Sequence, residues 1–576
     1  MTEDAAPGGA AGRHIMVEQG AAQGTAQGAA EAFLAAPETH GGAAVRCFVT
    51  HAAKVFVAGD RAYKIKRAVR YPYLDFSTLE RRREAIEKEL QINRRTAPEL
   101  YLDVRPLSRG EDGRLRLGRE GEAKAGGAVV EWVLVMRAFD QAGLLDQLAE
   151  SGGLTPVLLT ELADVIRRFH DRAEPIGRAG VAPHRSARGG ASGMRDTVVE
   201  NDQDFTEHPD LFPPARTCGL TAASEDAIAR HEALLEARWD RGLVRHCHGD
   251  LHLRNICLID GRPTLFDAIE FNDAIACIDV LYDLAFLLMD LDERGLRPAA
   301  NLVLNRYLRD GAELEALAAL PLFLSVRAAI RAKVAAAAQA GQGDRTAKQR
   351  LAEEARDYFA AAEAYLAPPP PRLVAVGGLS GSGKSTLARA VAPDLGAAPG
   401  AVVLRSDVTR KALYGLADEA PLPQEAYRPE VSERVYGLLL QRARVVLRAG
   451  HAVVLDAVHA KPAERGATEA LASDLCVPFT GLWLDAGLDT LVRRTTARHD
   501  DASDATPDVV RAQAERDVGA MTWQRLDAAR PPEAVAEDAR RSLDCARRRA
   551  SPSPSHRLRD GSLPLPSRAR GTNLAL

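Results

Sequence analysis

The sequence predicts two domains, an α+β domain followed by an α/β domain whose parallel sheet is flanked by helices. Three observations carry this reading. The chain has 576 residues, and at roughly 150 residues per domain that suggests two to four domains. The run from Ala367 through four prolines to Arg372 has the composition of a semi-rigid polyproline spacer. After it, short apolar runs at Leu373–Gly377, Val402–Leu404, Ala452–Leu455 and Gly481–Leu484 alternate with helical stretches, the pattern of βαβ units on a parallel sheet.

The first half reads differently. Val55–Ala58, then Gly59-Asp60, then Ala62–Lys66 predicts a β-hairpin with a Gly-Asp turn. Leu79 to Arg95 is densely charged, lacks Gly and Pro, and has apolar residues at helical spacing, so it predicts a helix ending before Pro98. Val129–Met136 reads as a strand. Thr155–His170, Glu225–Arg238, Asp279–Leu291 and Glu313–Ala340 read as helices. Residues 171–220 are rich in Gly, Pro and Arg and yield no assignment.

The expected organisation is therefore a disordered leader at 1–44, a first domain at 45–345, a helix end and Pro-rich linker at 346–371, a second domain at 372–541 and a disordered basic tail at 542–576. The leader is expected to lack order because its many small residues bury too little apolar area to offset chain entropy.

Composition narrows the function classes. Hydrophobic residues make up 46% and charged residues 27%, ordinary for a globular protein. Lys plus Arg is 75 and Asp plus Glu is 79, a net charge of −4. Such a balance gives no global attraction to nucleic acid or anionic membrane. The most apolar stretch, Leu281–Leu288, is short and interrupted by Asp283, far from the ~20 apolar residues of a spanning helix. Seven cysteines are scattered without a CxxC pair, which argues against a disulfide framework and for a reducing cytoplasm.

Two motifs carry chemistry. Gly378-Leu379-Ser380-Gly381-Ser382-Gly383-Lys384-Ser385 follows a strand and opens a helix at Thr386. The glycines let backbone N–H groups curl around phosphate oxygens, and the helix N-terminus adds positive potential. In this loop Lys384 reaches the β- and γ-phosphates of a nucleotide and the Ser385 hydroxyl ligates Mg²⁺. Asp407, at the carboxyl end of the next strand, is placed to take a proton from a substrate hydroxyl. Asp456, at another strand end, is a metal residue or the base instead. The Arg-dense stretch holding Arg493, Arg494 and Arg498 suits a lid that neutralises transferring phosphate.

The second motif is His246-Cys-His248-Gly-Asp250, with Asn255 five residues on and Asp267 twelve beyond that. The spacing HxDxxxxN matches the catalytic loop of the kinase fold, in which Asp orients or deprotonates the acceptor and Asn holds Mg²⁺.

The first of these segments, about 372–535, resembles the small P-loop kinases that include gluconate kinase-like, polynucleotide kinase-like and zeta-toxin-like enzymes. Asp456 is followed by Ala457 rather than Glu, unlike an AAA+ motor. The segment around Asp250, over about 45–345, resembles the aminoglycoside phosphotransferase family and its choline, fructosamine and homoserine kinase relatives. The resemblance implies a protein-kinase-like fold for the first domain and a P-loop NTPase fold for the second, with ATP and Mg²⁺ as cofactors of both. It makes Asp250 the catalytic base, His248 its loop support, Asn255 and Asp267 the metal ligands, and Asp283 a buttress. The nucleotide-anchoring lysine is Lys64 or Lys66, on one face of a strand, with Lys64 preferred. Its partner is Glu89 rather than Glu84. No Gly-rich loop precedes these lysines, and Thr50–Lys54 stands in its place. The expected acceptors are small hydroxylated molecules, with no membrane or nucleic acid. Two alternatives remain at this stage: a nucleotide-sensing regulator, and a polynucleotide 5′-end kinase in the second half.

Overall fold

The computed structural model describes residues 21–50, 52–71, 74–119, 127–177, 188–309, 311, 313–418, 420–497 and 504–550. They form two compact units. The first takes in the described residues up to Arg309 together with Ala318–Pro368, and the second runs from Gly311 to Leu317 and onward from Pro369.

In the first unit, β1 (Val45–Val49), β2 (Ala53–Ala58) and β3 (Arg61–Lys66) form an antiparallel meander. The Gly59-Asp60 turn joins β2 to β3, with Gly59 at φ 59. Helix α1 (Leu79–Asn93) follows, capped by the Thr78 hydroxyl, which accepts from the Arg81 N–H. Strands β4 (Tyr101–Arg109), β5 (Leu115–Leu117) and β6 (Ala128–Arg137) complete a six-stranded sheet of order β1-β2-β3-β6-β4-β5. Ile86 of α1 packs on Leu134 and Trp132 of β6, which seats the helix across one face of the sheet.

The remainder of this unit is mainly helical. The segment without a sequence assignment holds α2 (Gly190–Thr206), and α3 (Pro214–Asp240) is longer than its sequence signal. Two small antiparallel ladders carry the motif residues. Strand β7 (Val244–His246) pairs with β10 (Cys277–Asp279), and β8 (Ile256–Ile259) with β9 (Arg262–Leu265). Helix α4 (Val280–Glu293) then runs through the core, twelve of its residues buried. Asp279 stands outside this helix as its N-cap, accepting from the Leu281 N–H at 2.8 Å, and the fully buried Arg238 grips its carboxylate at 2.6 and 2.7 Å.

The second unit is a five-stranded parallel sheet. Its strands are β11 (Leu373–Gly378), β12 (Val402–Arg405), β13 (Val453–Asp456), β14 (Phe479–Asp485) and β15 (Gln524–Asp527), in the order β12-β13-β11-β14-β15. Helix α5 (Lys384–Val391) leaves the end of β11, and Leu387, Ala388 and Val391 sink into a core with Val374, Val376, Val454 and Leu484.

Two boundary expectations change. The leader is ordered from Ala21: Ala21–Ala35 is helical, and Ala30 and Leu34 are fully buried beside Phe56, Ile65, Leu107, Val133 and Val135. The small residues that argued for disorder instead let this helix lie close to the sheet. Within 45–345, the stretch from Gly311 to Leu317 belongs to the second unit, where the His451 ring meets the Leu317 carbonyl at 3.0 Å. The last helix, Pro532–Ala550, continues past 541; the rest of the expected tail, and residues 1–20 of the leader, lie outside the described residues. No helix among the described residues is long and apolar enough to cross a membrane, and six described cysteines are free.

Truncating Leu34 to Ala is expected to destabilise the first unit by about 2–5 kcal/mol, as buried Leu→Ala changes do, read as a lowered denaturant midpoint; a disordered leader would leave it unmoved. Burial pushes the pKa of His451 down to about 4. Protonation therefore favours the unfolded chain, and stability falls as pH drops from about 6.5 to 4, by about 3 kcal/mol in all. His451→Gln should flatten that slope in pH-dependent thermal unfolding.

Candidate functional site

The first unit converges on the loop after β7. Gly249 adopts φ 84, a left-handed conformation at which a side chain is strained. The turn exists because Asp283, fully buried on α4, accepts the His248 N–H at 3.2 Å and the Gly249 N–H at 2.9 Å. Burial would raise the Asp283 pKa, but hydrogen bonding and charge from His170, with His248 and Arg327, hold it below the usual carboxylate value. His170 reaches Asp283 at 3.1 Å. Arg327, also buried, donates to the Gly249 carbonyl at 3.2 Å and stacks over Tyr282.

The loop presents Asp250. Its carboxylate accepts from Asn255 Nδ2 at 2.8 Å and lies 3.3 Å from His252 Nε2. Burial opposes ionisation, yet the charge and hydrogen bond of His252, with His248, keep its pKa well below the usual range. Asp250 is thus a carboxylate across the neutral range, with 36% of its side chain exposed. His248 is buried, its Nε2 lies 2.9 Å from the Phe266 carbonyl, and burial pushes its pKa down. That contact ties the loop to the segment after β9.

Asn255 and Asp267 are brought side by side. The β8–β9 ladder pairs Ile256 with Leu265, and the Phe266 N–H donates to the Asn255 carbonyl at 3.0 Å. Asp267 sits at φ 60, its N–H donating to the buried Tyr101 hydroxyl at 3.1 Å. Its carboxylate takes the Lys64 ammonium at 2.9 Å. The lysine question resolves in an unexpected way: Glu89, fully buried, takes Lys64 on one oxygen and Lys66 on the other, both at 2.6 Å. Lys66 also meets Glu270 at 2.5 Å. Burial raises the pKa of Glu89, and the two ammonium groups more than reverse this, leaving it ionised. The family resemblance pointed to Glu89 and to the two lysines, which the fold brings together. It gave no sign of Glu270, Arg327 or the doubled pairing, because these meet only through the tertiary fold.

The second unit builds its site at the end of β11. Gly381 lies at φ 83, and a Cβ there would stand 2.6 Å from the Leu491 carbonyl oxygen; Gly378, at φ 141, would place one 2.7 Å from that of Leu484. The loop from Leu379 through Ser382 to Gly383 is therefore held against β14 and α6 (Leu488–Thr496). The Ser380 N–H is taken by Gln513 Oε1 at 2.9 Å, from α7 (Pro507–Ala514). Lys384 donates to the Leu379 carbonyl at 3.0 Å. Ser385, followed by Thr386 on α5, donates to Asp456 at 2.6 Å. Arg405 completes this corner, its Nε 3.1 Å from Asp456 and its Nη2 2.9 Å from Ser385 Oγ.

Asp407 lies half-buried in the first turn of the helix Ser406–Leu413. Its charge, after burial and Asp504, contributes to pushing the Tyr427 hydroxyl pKa up. The arginine lid differs from expectation. Arg494 donates to the Ala528 carbonyl at 2.7 Å, so its guanidinium serves the backbone beyond β15 and is not on the phosphate loop. Arg498 lies outside the described residues, as does His51 in the stretch replacing the Gly-rich loop.

The donor sets fit the implied cofactors. Hydroxyl, amide and carboxylate oxygens (Ser385 with Asp456; Asn255 with Asp267) are those a hard divalent cation takes, and a guanidinium at the Ser385–Asp456 corner marks it as a place for positive charge. Asp283→Asn is expected to cost about 3 kcal/mol or more, since it leaves buried donors without an acceptor; the check is thermal unfolding of the first unit, with Glu84→Gln as an unaffected control.

Comparisons place the chain. A family model described as an AAA domain matches residues 373–517. Uncharacterized protein Rv2004c of Mycobacterium tuberculosis is 30% identical over 489 residues, which is 84% of this chain and 92% of that protein. Uncharacterized protein Mb2027c of Mycobacterium bovis matches to the same extent. Among solved structures, a sugar kinase from Janibacter sp. HTCC2649 is 24% identical with a TM-score of 0.24, covering 32% of this chain and 99% of its own. A choline/ethanolamine kinase family protein from Mesorhizobium loti is 16% identical with a TM-score of 0.34, covering 59% and 99%. The chain therefore belongs to the family of these mycobacterial proteins.

Proposed function

We propose that this protein is a bifunctional ATP-dependent phosphotransferase, each half transferring the γ-phosphoryl group to a hydroxyl of a small molecule in the cytoplasm. The observation that carries the reading is the gathering of Lys64, Glu89, Asp267, Asn255 and Asp250 on successive turns of one site, from elements up to 203 positions apart in sequence. The corresponding set in the second unit is Lys384, Ser385, Asp456 and Asp407.

In the first unit Asp250 orients the acceptor hydroxyl and takes its proton. The acceptor oxygen forms a bond to the γ-phosphorus as the bond to the bridging oxygen of the nucleoside diphosphate breaks. Lys64 holds the nucleotide phosphates, and Glu89 keeps that lysine charged and in place. Because Lys66 also neutralises Glu89, Lys64 can turn to phosphate without leaving a bare buried carboxylate, which would be costly. Asn255 and Asp267 would hold Mg²⁺, which supplies charge neutralisation for the transferring group. In the second unit the amides of the Gly378–Lys384 loop and Lys384 bind the phosphates, Ser385 and Asp456 would hold Mg²⁺, and Asp407 receives the acceptor proton. Most of the rate gain in such a reaction is alignment and electrostatics.

The test is phosphoryl transfer from γ-labelled ATP into a small-metabolite extract, with products identified by mass. Asp250→Asn should lower one labelled product by about 10²–10⁴-fold and leave the other. Lys384→Ala should do the reverse. Loss of both products in either variant rejects two independent sites, and ATP binding without any labelled product rejects turnover on these acceptors.

A further inference from the structure

The corner formed by Ser385 and Asp456 is not simply a pair of oxygen ligands. Arg405 is the last residue of β12 and stands in register with Asp456, the last of β13. The two strands are parallel neighbours, so the sheet itself fixes the guanidinium beside the carboxylate. Arg405 Nε donates to Asp456 Oδ2 at 3.1 Å, the same oxygen that accepts from Ser385 Oγ at 2.6 Å. Its Nη2 donates to Ser385 Oγ at 2.9 Å. The three groups close a ring of hydrogen bonds in which both oxygens facing the corner are engaged by one cation. Asp456 is 5% exposed and Arg405 12%, so water screens this pairing weakly.

A guanidinium in that position does what a divalent cation would do: it neutralises Asp456 and engages the Ser385 hydroxyl. The two cations compete for one corner. We infer that Arg405 is an internal counter-cation that occupies the metal corner of the phosphate loop in the nucleotide-free protein, so that a divalent ion enters with the nucleotide and not before it. The polyphosphate supplies the extra negative charge that makes room for both cations, and the displaced guanidinium remains within side-chain reach of it. The consequence is reciprocal: Arg405 weakens metal binding to the empty site, and it lets metal-free nucleotide bind without facing an uncompensated Asp456. The inference rests on the reading of this loop as a nucleotide site.

The experiment uses the full chain and Mn²⁺ as the probe, with free ion counted by electron paramagnetic resonance. Without nucleotide, Arg405→Met should bind Mn²⁺ about five- to thirtyfold more tightly at one site than the wild type does, a coupling of the usual size. Adding Asp456→Asn should abolish that gain, which separates this corner from any Mn²⁺ site in the first unit. In the presence of chelator, ADP should bind Arg405→Met more weakly than the unaltered corner by a similar factor, with Lys64→Ala present in both proteins to silence the first unit and report only on the second. Arg405→Lys, which keeps the charge and loses the fork, should fall between the two and serves if the Met variant does not fold. Equal Mn²⁺ affinity in wild type, Arg405→Met and Arg405→Lys would overturn the inference while leaving nucleotide binding intact. Mg-ADP binding in the Lys64→Ala background that Lys384→Ala leaves unchanged would overturn the underlying reading as well.

Discussion

The first unit depends on one buried carboxylate. Asp283 sits on a helix with no exposed face over most of its length, and its two oxygens take the backbone N–H groups of His248 and Gly249. A carboxylate buried alone would protonate or unfold its surroundings. Here His170 and Arg327 supply the compensating charge and hydrogen bonds, and the loop supplies the rest. The left-handed turn at Gly249 follows from this anchoring, and the exposure of Asp250 follows from the turn. The direction of Asp250, its contact with Asn255 and the position of Asp267 across the β8–β9 ladder are then settled in succession.

The two units solve one electrostatic problem in related ways. Each places carboxylates in a partly dry site and surrounds them with cations and hydrogen-bond donors. In the first unit Glu89 is flanked by two lysines, each with a second acid, Asp267 for Lys64 and Glu270 for Lys66. In the second, Asp456 is flanked by a hydroxyl and by Arg405. Such networks are worth keeping only when every member is satisfied, because a half-paired buried charge costs more than the pair contributes. Two buried lysines stand side by side for the same reason: the acids present outnumber the ammonium groups.

Much of the molecule was legible from local pattern. The Pro run, the βαβ alternation and the GxxxxGK[ST] loop announce the second unit because parallel strands and phosphate loops impose strict local rules: buried apolar runs, glycines at positive φ, a helix start directly after Lys384. The HxDxxxxN spacing marks the loop after β7 for the same reason, and the hairpin read over 55–66 followed from alternation and a Gly-Asp turn. What the sequence by itself determined was therefore the order of the units and the chemistry-bearing residues of each. Only the tertiary structure decided which of them meet. It bound Lys66 to Glu270 across about two hundred residues, tied Arg494 to the Ala528 carbonyl away from the phosphate loop, and put Arg405 on Asp456 through strand register. It also gave Ala21–Ala35 a place to bury Leu34, an apolar contact that no local signal in an Ala- and Gly-rich leader records. These pairings join residues distant in sequence, and their free energy comes from shared burial and compensated charge, quantities that exist only once the chain has packed.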